Sequence, residues 1–263
     1  MPVLNEASNI DALWTGIAAA LDDFEFIICF VDDGSTDGTI EYLQSLAQTE
    51  PKRVHLMRRR KMMRGSQRGS ALFAALQWAL SNPDVHFLVE MDGDLSHRPE
   101  ELQRGLGLIV SGTCDVAIAS KYLPGSQVTH RPLARRAVSL ICNQAVRLLL
   151  SDEISDYSNG FRFYTRGAGL AIASSQIRYG SPIYLSEVMA IWLHDHFRIA
   201  EFDSIYVGRN EGLSKLRPLD LVKAAIGVCE ISWRRRTGRF GRIQLPEHNG
   251  NARSSHAGST TYR

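Results

Sequence analysis

The stretch Phe26-Ile27-Ile28-Cys29-Phe30-Val31-Asp32-Asp33-Gly34-Ser35-Thr36-Asp37-Gly38-Thr39 decides the fold. Its first half is apolar without alternation, which describes a strand buried on both faces, as in parallel sheets covered by helices. The run stops at adjacent aspartates and a glycine, and helical spacing resumes over 38–47. Upstream, Ile10, Leu13, Trp14, Ile17 and Leu21 recur at helical spacing behind Ser8 or Asn9 as a cap. Downstream the cycle repeats: a strand over 54–57, a basic loop, a helix over 70–80 and a strand over 85–91. An acidic turn at Asp92, a helix over 99–110 and a strand over 116–119 follow. This alternation implies a mostly parallel α/β sheet with helices on both faces. Ligands of such sheets gather beyond the carboxyl ends of the strands, where both acidic turns fall.

The second half is less regular. The pattern predicts an amphipathic helix over 133–150, a polar loop over 152–160 and a strand over 161–164. A helix over 185–193, a strand over 197–207 and a helix over 220–233 complete it. His194 and His196 flank Asp195 at a helix end and read as capping residues. From Pro246 the chain is rich in Gly, Ser, Asn and His, the composition of a disordered tail.

Composition bounds the function. Of 263 residues, 44% are hydrophobic and 22% charged, with a formal charge of +2. That is an ordinary globular balance without a polyanion signal. The basic loop lacks interleaved aromatics and the net charge is small, which weakens a nucleic-acid reading, and no nucleic-acid partner is expected. No apolar run approaches the roughly 18 residues of a membrane span. Met1 to Glu6 has neither the basic nor the apolar region of an export signal. Cys29, Cys114, Cys142 and Cys229 are far apart, against a zinc knuckle and in keeping with reduced thiols in the cytoplasm.

Asp33, Ser35, Asp37 and Gly38 imitate a calcium loop, but position twelve is Gln44 and a strand precedes where a helix is required. Cap residues explain part of this turn; adjacent carboxylates closing a buried strand point to a ligand. Glu90-Met91-Asp92-Gly93-Asp94-Leu95-Ser96-His97 ends another buried strand. Asp92 and Asp94 offer oxygen ligands suited to Mg²⁺ or Mn²⁺ shared with a substrate's phosphates.

These segments carry a family resemblance. M-P-V-L-N-E (1–6), V-D-D-G-S-T-D-G-T (31–39) and M-D-G-D-L-S-H-R-P-E-E-L (91–102) resemble the motifs of inverting family-2 glycosyltransferases of the GT-A fold. A-S-K-Y-L-P-G (119–125), R-x-x-x-S (135–139), D-Y-S-N-G-F-R (156–162) and R-N-E-G-L-S-K-L (209–216) follow in the same order. Within the family the likeness is to dolichyl- and polyprenyl-phosphate mannose synthases, and it covers residues 1–217.

The resemblance implies a hexose donor, GDP-mannose first, a polyprenyl phosphate acceptor, and Mg²⁺ or Mn²⁺ on Asp92 and Asp94. It implies that Asp33 reads the base beside Pro2, Leu4 and Glu6. It makes Asp94, Arg135 and Arg209 catalytic, and places Lys121, Ser139, Arg162 and Lys215 on substrate. Leu4 stands where the family often has an aromatic, Ser96 where a Gln assists the metal, and Lys121 where an Arg is usual. Relatives carry an apolar strand before P-x-x-N-E, whereas only Met1 precedes Pro2 here. The expectation is a first strand cut short, by a start set too late or by truncation, with neighbouring ladder groups unpaired.

Arg58, Arg59, Arg60, Lys61, Arg64 and Arg68 crowd one loop on the ligand side. Arg68, ahead of the helix start at Gly69, is the expected diphosphate contact. Arg135 and Ser139 lie at i and i+4 and face one phosphate, while Arg136 solvates the helix. Met57, Met62 and Met63 read as loop packing. Arg234, Arg235, Arg236, Arg239 and Arg242 follow Trp233, a pattern suited to an anionic membrane surface. The expected organisation is a catalytic domain over 1–217, an amphipathic and basic segment over 218–245, and a tail over 246–263. Its expected location is cytoplasmic, peripheral on the inner membrane face, alone or through an anchoring partner protein.

Two other functions compete. Transfer to a sugar hydroxyl in polysaccharide assembly requires a carboxylate base, and Tyr184-Leu185-Ser186-Glu187-Val188 offers one acid only, read as a positioning residue. A non-catalytic nucleotide-sugar-binding subunit would have lost the Asp92/Asp94 pair, which is present.

Overall fold

The computed structural model describes residues 1–59, 68–130, 132–208 and 218–243, with the side chains of 134, 135 and 218–222 left outside the description. The expectations for Arg60, Lys61, Met62, Met63, Arg64, Arg209, Lys215, the Arg135 side chain and the tail therefore lie outside the described residues.

The first unit is β1 (Pro2–Val3), α1 (Ile10–Ala20), β2 (Ile28–Asp32), α2 (Thr39–Thr49) and β3 (Val54–Arg58). β2 pairs in parallel with both neighbours, Pro2 opposite Val31 and Ile28 opposite Val54. All of β2 is buried, as its unbroken apolar run requires. Alternate residues serve opposite faces: Ile28 and Phe30 join α1 and α2, while Cys29 and Val31 meet Ala71 and Ala75. β1 is short, yet the Val31 N–H reaches the Met1 carbonyl at 2.8 Å and the Asp33 N–H reaches Val3 at 3.2 Å.

The second unit is α3 (Arg68–Leu80), β4 (Phe87–Glu90), a 3-10 turn (Pro99–Glu101), α4 (Leu102–Val110), β5 (Val116–Ser120), β6 (Gln127–Thr129) and α5 (Leu133–Leu149). It continues through β7 (Arg162–Thr165), α6 (Arg166–Ala173), α7 (Tyr184–His194), β8 (Ile199–Asp203), β9 (Ile205–Val207) and α8 (Pro218–Arg236). The strand order is β4-β7-β5-β8, with β6 and β9 forming a separate parallel pair.

β7 departs from the all-parallel βα reading by running antiparallel to β4 and β5. β5 ends at the ligand edge and residues 121–161 form an excursion there, so the chain re-enters from that edge and must run backwards. The strand expected over 197–207 is two, broken at Ser204, whose hydroxyl donates to Glu101 at 2.6 Å. β6 and α6 were not anticipated; α6 begins where the Thr165 hydroxyl accepts the Ala168 N–H.

Four of the five arginines of the basic C-terminal run have partners within the protein, while Arg236 is exposed. Arg234 is buried on Glu187, Arg235 donates to the Leu150 carbonyl, Arg242 pairs with Asp195, and Arg239 lies 4.7 Å over the Trp233 ring. α8 packs on α7 and α5. α5 also presents apolar side chains outward, with Leu133, Ile141 and Leu148 78%, 68% and 83% exposed. No helix of the described residues is long and apolar enough to cross a membrane.

α4 supplies a paired test of this packing. A Cβ at Gly105 would fall 2.3 Å from the Phe163 ring, whereas one at Gly107 meets nothing within 4 Å. Gly105→Ala is expected to lower unfolding stability by about 1–3 kcal/mol through overpacking. Gly107→Ala should raise it by up to about 1 kcal/mol through helix propensity. Urea midpoints of both variants check the register of α4 on β7.

Candidate active site

β1 and β2 belong to a three-stranded parallel sheet and β4 and β5 to the four-stranded one; the two meet where Gly93, after β4, lies against Pro2 and Val3 of β1. At the β2 end the adjacent aspartates divide their work. Asp32, 1% exposed, accepts the Gly34 and Ser35 N–H groups at 3.0 and 3.1 Å and closes the turn. Asp33 turns outward, with the Arg59 guanidinium 3.4 Å away. Burial pushes the Asp33 carboxyl above its usual range, Asp32 adds to this, and Arg59 opposes it.

The loop of Pro2, Leu4 and Glu6 is laced to this turn. Asn5 N–H donates to the Ser35 hydroxyl, Thr36 N–H to the Asn5 side chain, and Glu6 N–H to the Thr39 hydroxyl, at 2.8–2.9 Å. Glu6 accepts from the Asn9 amide at 2.6 Å, and Leu4 stays 45% exposed. Pro2, Leu4, Glu6 and Asp33 are thus brought to one edge of the molecule.

Beyond β4, Asp94 accepts from the Ser96 N–H and hydroxyl at 3.1 and 2.6 Å. Ser96 therefore braces the carboxylate. Asp92 accepts from Arg68 Nε at 2.6 Å. Its own N–H donates to His97 Nδ1 at 3.1 Å. An amide nitrogen can only donate, so Nδ1 is the bare nitrogen and Nε2–H donates to Asn159 Oδ1 at 2.9 Å. The ring is stacked on Phe161. Burial holds this imidazole below its ordinary pKa.

Asn159 belongs to the excursion loop, which Asp156 organises. One Asp156 oxygen accepts from the Ser158 and Asn159 N–H groups, and the other from Lys121 N–H at 3.0 Å. Glu201 accepts the Ser155 and Asp156 N–H groups, and the Asn143 side chain ties Ser155 and Tyr157 to α5. Lys121 Nζ reaches the Ser158 hydroxyl at 3.1 Å and lies over the Tyr206 ring.

Several expectations change. Arg162 is fully buried and donates to the carbonyls of Asn159, Leu185 and Tyr157, so it supports the site from beneath instead of touching substrate. The Ser139 hydroxyl meets that of Tyr122 at 3.0 Å. Arg68 is drawn onto Asp92 instead of standing open to a diphosphate. Glu187, inside α7, accepts the Arg178 and Tyr179 N–H groups and pairs with Arg234. The sequence reading assigned no role to His97, Asn159, Asp156 or Glu201; the first three lie in recognised motifs, but their burial does not register in residue type.

The donor set suits a hard cation shared with phosphate: Asp92 and Asp94 contribute carboxylate oxygens one residue apart. Among the described residues no cluster of three or more acidic, His or Cys side chains makes a self-sufficient cage.

The His97 arrangement has a pH signature. Its folded pKa is below the unfolded value near 6.5, so the unfolded chain takes the proton first. The stabilisation is complete above that value and falls as pH drops towards the folded one. Relative to His97→Gln, the native protein should lose up to about 1.4 kcal/mol per pH unit below about 6.5. Urea unfolding of both proteins at pH 7.5 and 5.5 measures the difference.

Residues 1–169 match the family model described as Glycosyl transferase family 2. The chain is 33% identical over 241 residues to polyprenol monophosphomannose synthase of Mycolicibacterium smegmatis, covering 91% of this chain and 88% of the relative. It is 29% identical over 231 residues to undecaprenyl-phosphate mannosyltransferase of Micrococcus luteus, covering 87% and 90%. Among solved structures, glucosyl-3-phosphoglycerate synthase of Mycobacterium tuberculosis with Mn²⁺ and UDP-glucose aligns at a TM-score of 0.60. That alignment has 17% identity and covers 87% of this chain and 77% of that one, a likeness of fold. With acidic turns closing β2 of the parallel sheet and β4 of the mixed one, the chain belongs to glycosyl transferase family 2 and has the GT-A fold.

Proposed function

We propose that this glycosyltransferase moves mannose from GDP-mannose to a polyprenyl phosphate with inversion. The names of its curated relatives support the sugar and the acceptor. The observation that carries the acceptor is the fate of Glu187. A sugar hydroxyl must surrender its proton to a base, yet the acid expected for that task is 0% exposed and held by Arg234 and backbone N–H groups. A phosphate monoester has a second pKa of about 6 and is largely dianionic at pH 7. Its oxygen forms the bond to the anomeric carbon while the bond to the nucleoside diphosphate breaks, and a single displacement inverts that carbon.

The remaining task is to bring anions together, which requires fixed cations and hydrogen-bond donors. Asp94, with Asp92, would hold Mg²⁺ or Mn²⁺, which when bound offsets charge developing on the leaving diphosphate. A Mn²⁺ complex of a fold neighbour supports this choice. Asp33, Pro2, Leu4 and Glu6 would take the nucleoside. Lys121, Arg209 and Lys215 would meet donor or acceptor phosphates, and Arg135 with Ser139 the acceptor phosphate. The exposed apolar residues of α5 suit a lipid surface, so the protein would work peripherally where its acceptor is embedded.

Asp94→Asn should lower kcat by about 10³-fold, equivalent to about 4 kcal/mol. Glu187→Gln should keep kcat within about tenfold and lose about 3–5 kcal/mol of stability by breaking a buried pair. Both are read with radiolabelled donor and polyprenyl phosphate; Glu187→Gln as inactive as Asp94→Asn while folded, with wild-type transfer to a sugar hydroxyl, would favour polysaccharide assembly. Replacing Leu133, Ile141 and Leu148 by Asp should weaken liposome binding at least about tenfold, since each buried side chain contributes about 1.5–3 kcal/mol. Transfer to a short, water-soluble acceptor should be unchanged by that triple substitution.

A further inference from the structure

Arg68 opens α3 and reaches under the acidic turn, where its Nε donates to Asp92 Oδ1 at 2.6 Å. Its Nη2 is shut away from solvent without a hydrogen-bond partner among the described residues. A Cβ built on Gly160 would fall 1.7 Å from that nitrogen, so the guanidinium fills the space that a glycine leaves in the excursion loop. This placement explains why position 160 lacks a side chain and points the arginine at Asp92 rather than outward. Beneath it, Glu90 is buried with Arg162 and Arg68 acting on it, and Tyr164 donates to its Oε1 at 3.1 Å. The same Arg68 charge acts on Asp94. The acidic turn is therefore partly neutralised from within the protein.

A divalent cation approaching Asp92 and Asp94 meets one carboxylate that already carries a guanidinium. It must share or displace that partner and sit near a positive charge, which weakens its hold. A nucleoside diphosphate changes the balance by adding negative charge and further oxygen ligands. We propose that Arg68 is the resident counter-cation of Asp92, a positioning residue that makes divalent-cation binding conditional on the diphosphate of the donor. The inference rests on the metal and donor roles given to this site above. Arg68 orients Asp92 before the donor arrives and keeps the turn from taking up the cation alone.

Mn²⁺ binding followed by the electron paramagnetic resonance of the free ion tests this without turnover. In the wild type, saturating GDP should tighten Mn²⁺ at least about 100-fold. Arg68→Gln removes the charge and should tighten nucleotide-free Mn²⁺ at least about tenfold, equivalent to about 1.4 kcal/mol. Arg68→Lys keeps the charge and should stay within about threefold of the wild type. Nucleotide-free affinity that is unchanged or weaker in folded Arg68→Gln would overturn the proposal. Should that variant fail to fold, wild-type Mn²⁺ affinity indifferent to both GDP and UDP would overturn it equally. Mn²⁺ binding that survives Asp94→Asn sinks the metal assignment itself, a failure separable from that of Arg68 because the arginine is intact there. A response to UDP but not GDP, together with tighter nucleotide-free binding in Arg68→Gln, upholds the role of Arg68 while contradicting the choice of donor.

Discussion

The hydrogen bond from the Asp92 amide to His97, passed on from His97 to Asn159, is the contact on which the site's geometry depends. It joins the turn after β4 to a loop more than sixty residues further along the chain. That loop is where it is because β7 must re-enter the sheet from the edge at which β5 left it. Asp156 then fixes the loop internally, and Glu201 and Asn143 fix it to β8 and α5. The acidic turn after β4 and the helix bearing exposed apolar residues are consequently parts of one hydrogen-bonded framework. A site assembled this way holds its carboxylates in place before ligands arrive, which lowers the cost of organising them during reaction.

Charge follows the same plan. Arg162 lies wholly in the interior with its N–H groups on backbone carbonyls, and Arg68 lies against Asp92. Buried ions of this kind are costly unless they are paired and hydrogen-bonded, and here they underlie the place where a diphosphate is proposed to bind. Glu187 and Arg234 form a separate buried pair between α7 and α8, which stabilises the C-terminal packing and withholds the Glu187 carboxylate from proton transfer.

Much of this architecture was legible in the sequence because it depends on local pattern. The run from Phe26 to Val31 specified a central strand, and the turns at Asp32 and Asp92 marked the ligand edge. What escaped depends on long-range geometry. Nothing in Arg162-Phe163-Tyr164-Thr165 records strand direction, and the break at Ser204 arises from its bond to Glu101, far away in sequence. A run of arginines reads as a charged surface until partners are known; Glu187, the Leu150 carbonyl and Asp195 take Arg234, Arg235 and Arg242. Adjacent Asp32 and Asp33 look alike in sequence, and only burial separates the turn-former from the carboxylate that stays open to solvent beside Arg59.

The central claim is that the acceptor attacks as an ionised phosphate without an enzymic base. The most direct measurement is the pH dependence of kcat/KM for polyprenyl phosphate beside a phosphonate analogue of higher second pKa. The account predicts an acid limb near pH 6 for the phosphate, about the pKa of such monoesters, that moves upward with the phosphonate. A limb that stays at the same pH for both acceptors would report a titrating group of the enzyme and contradict the account.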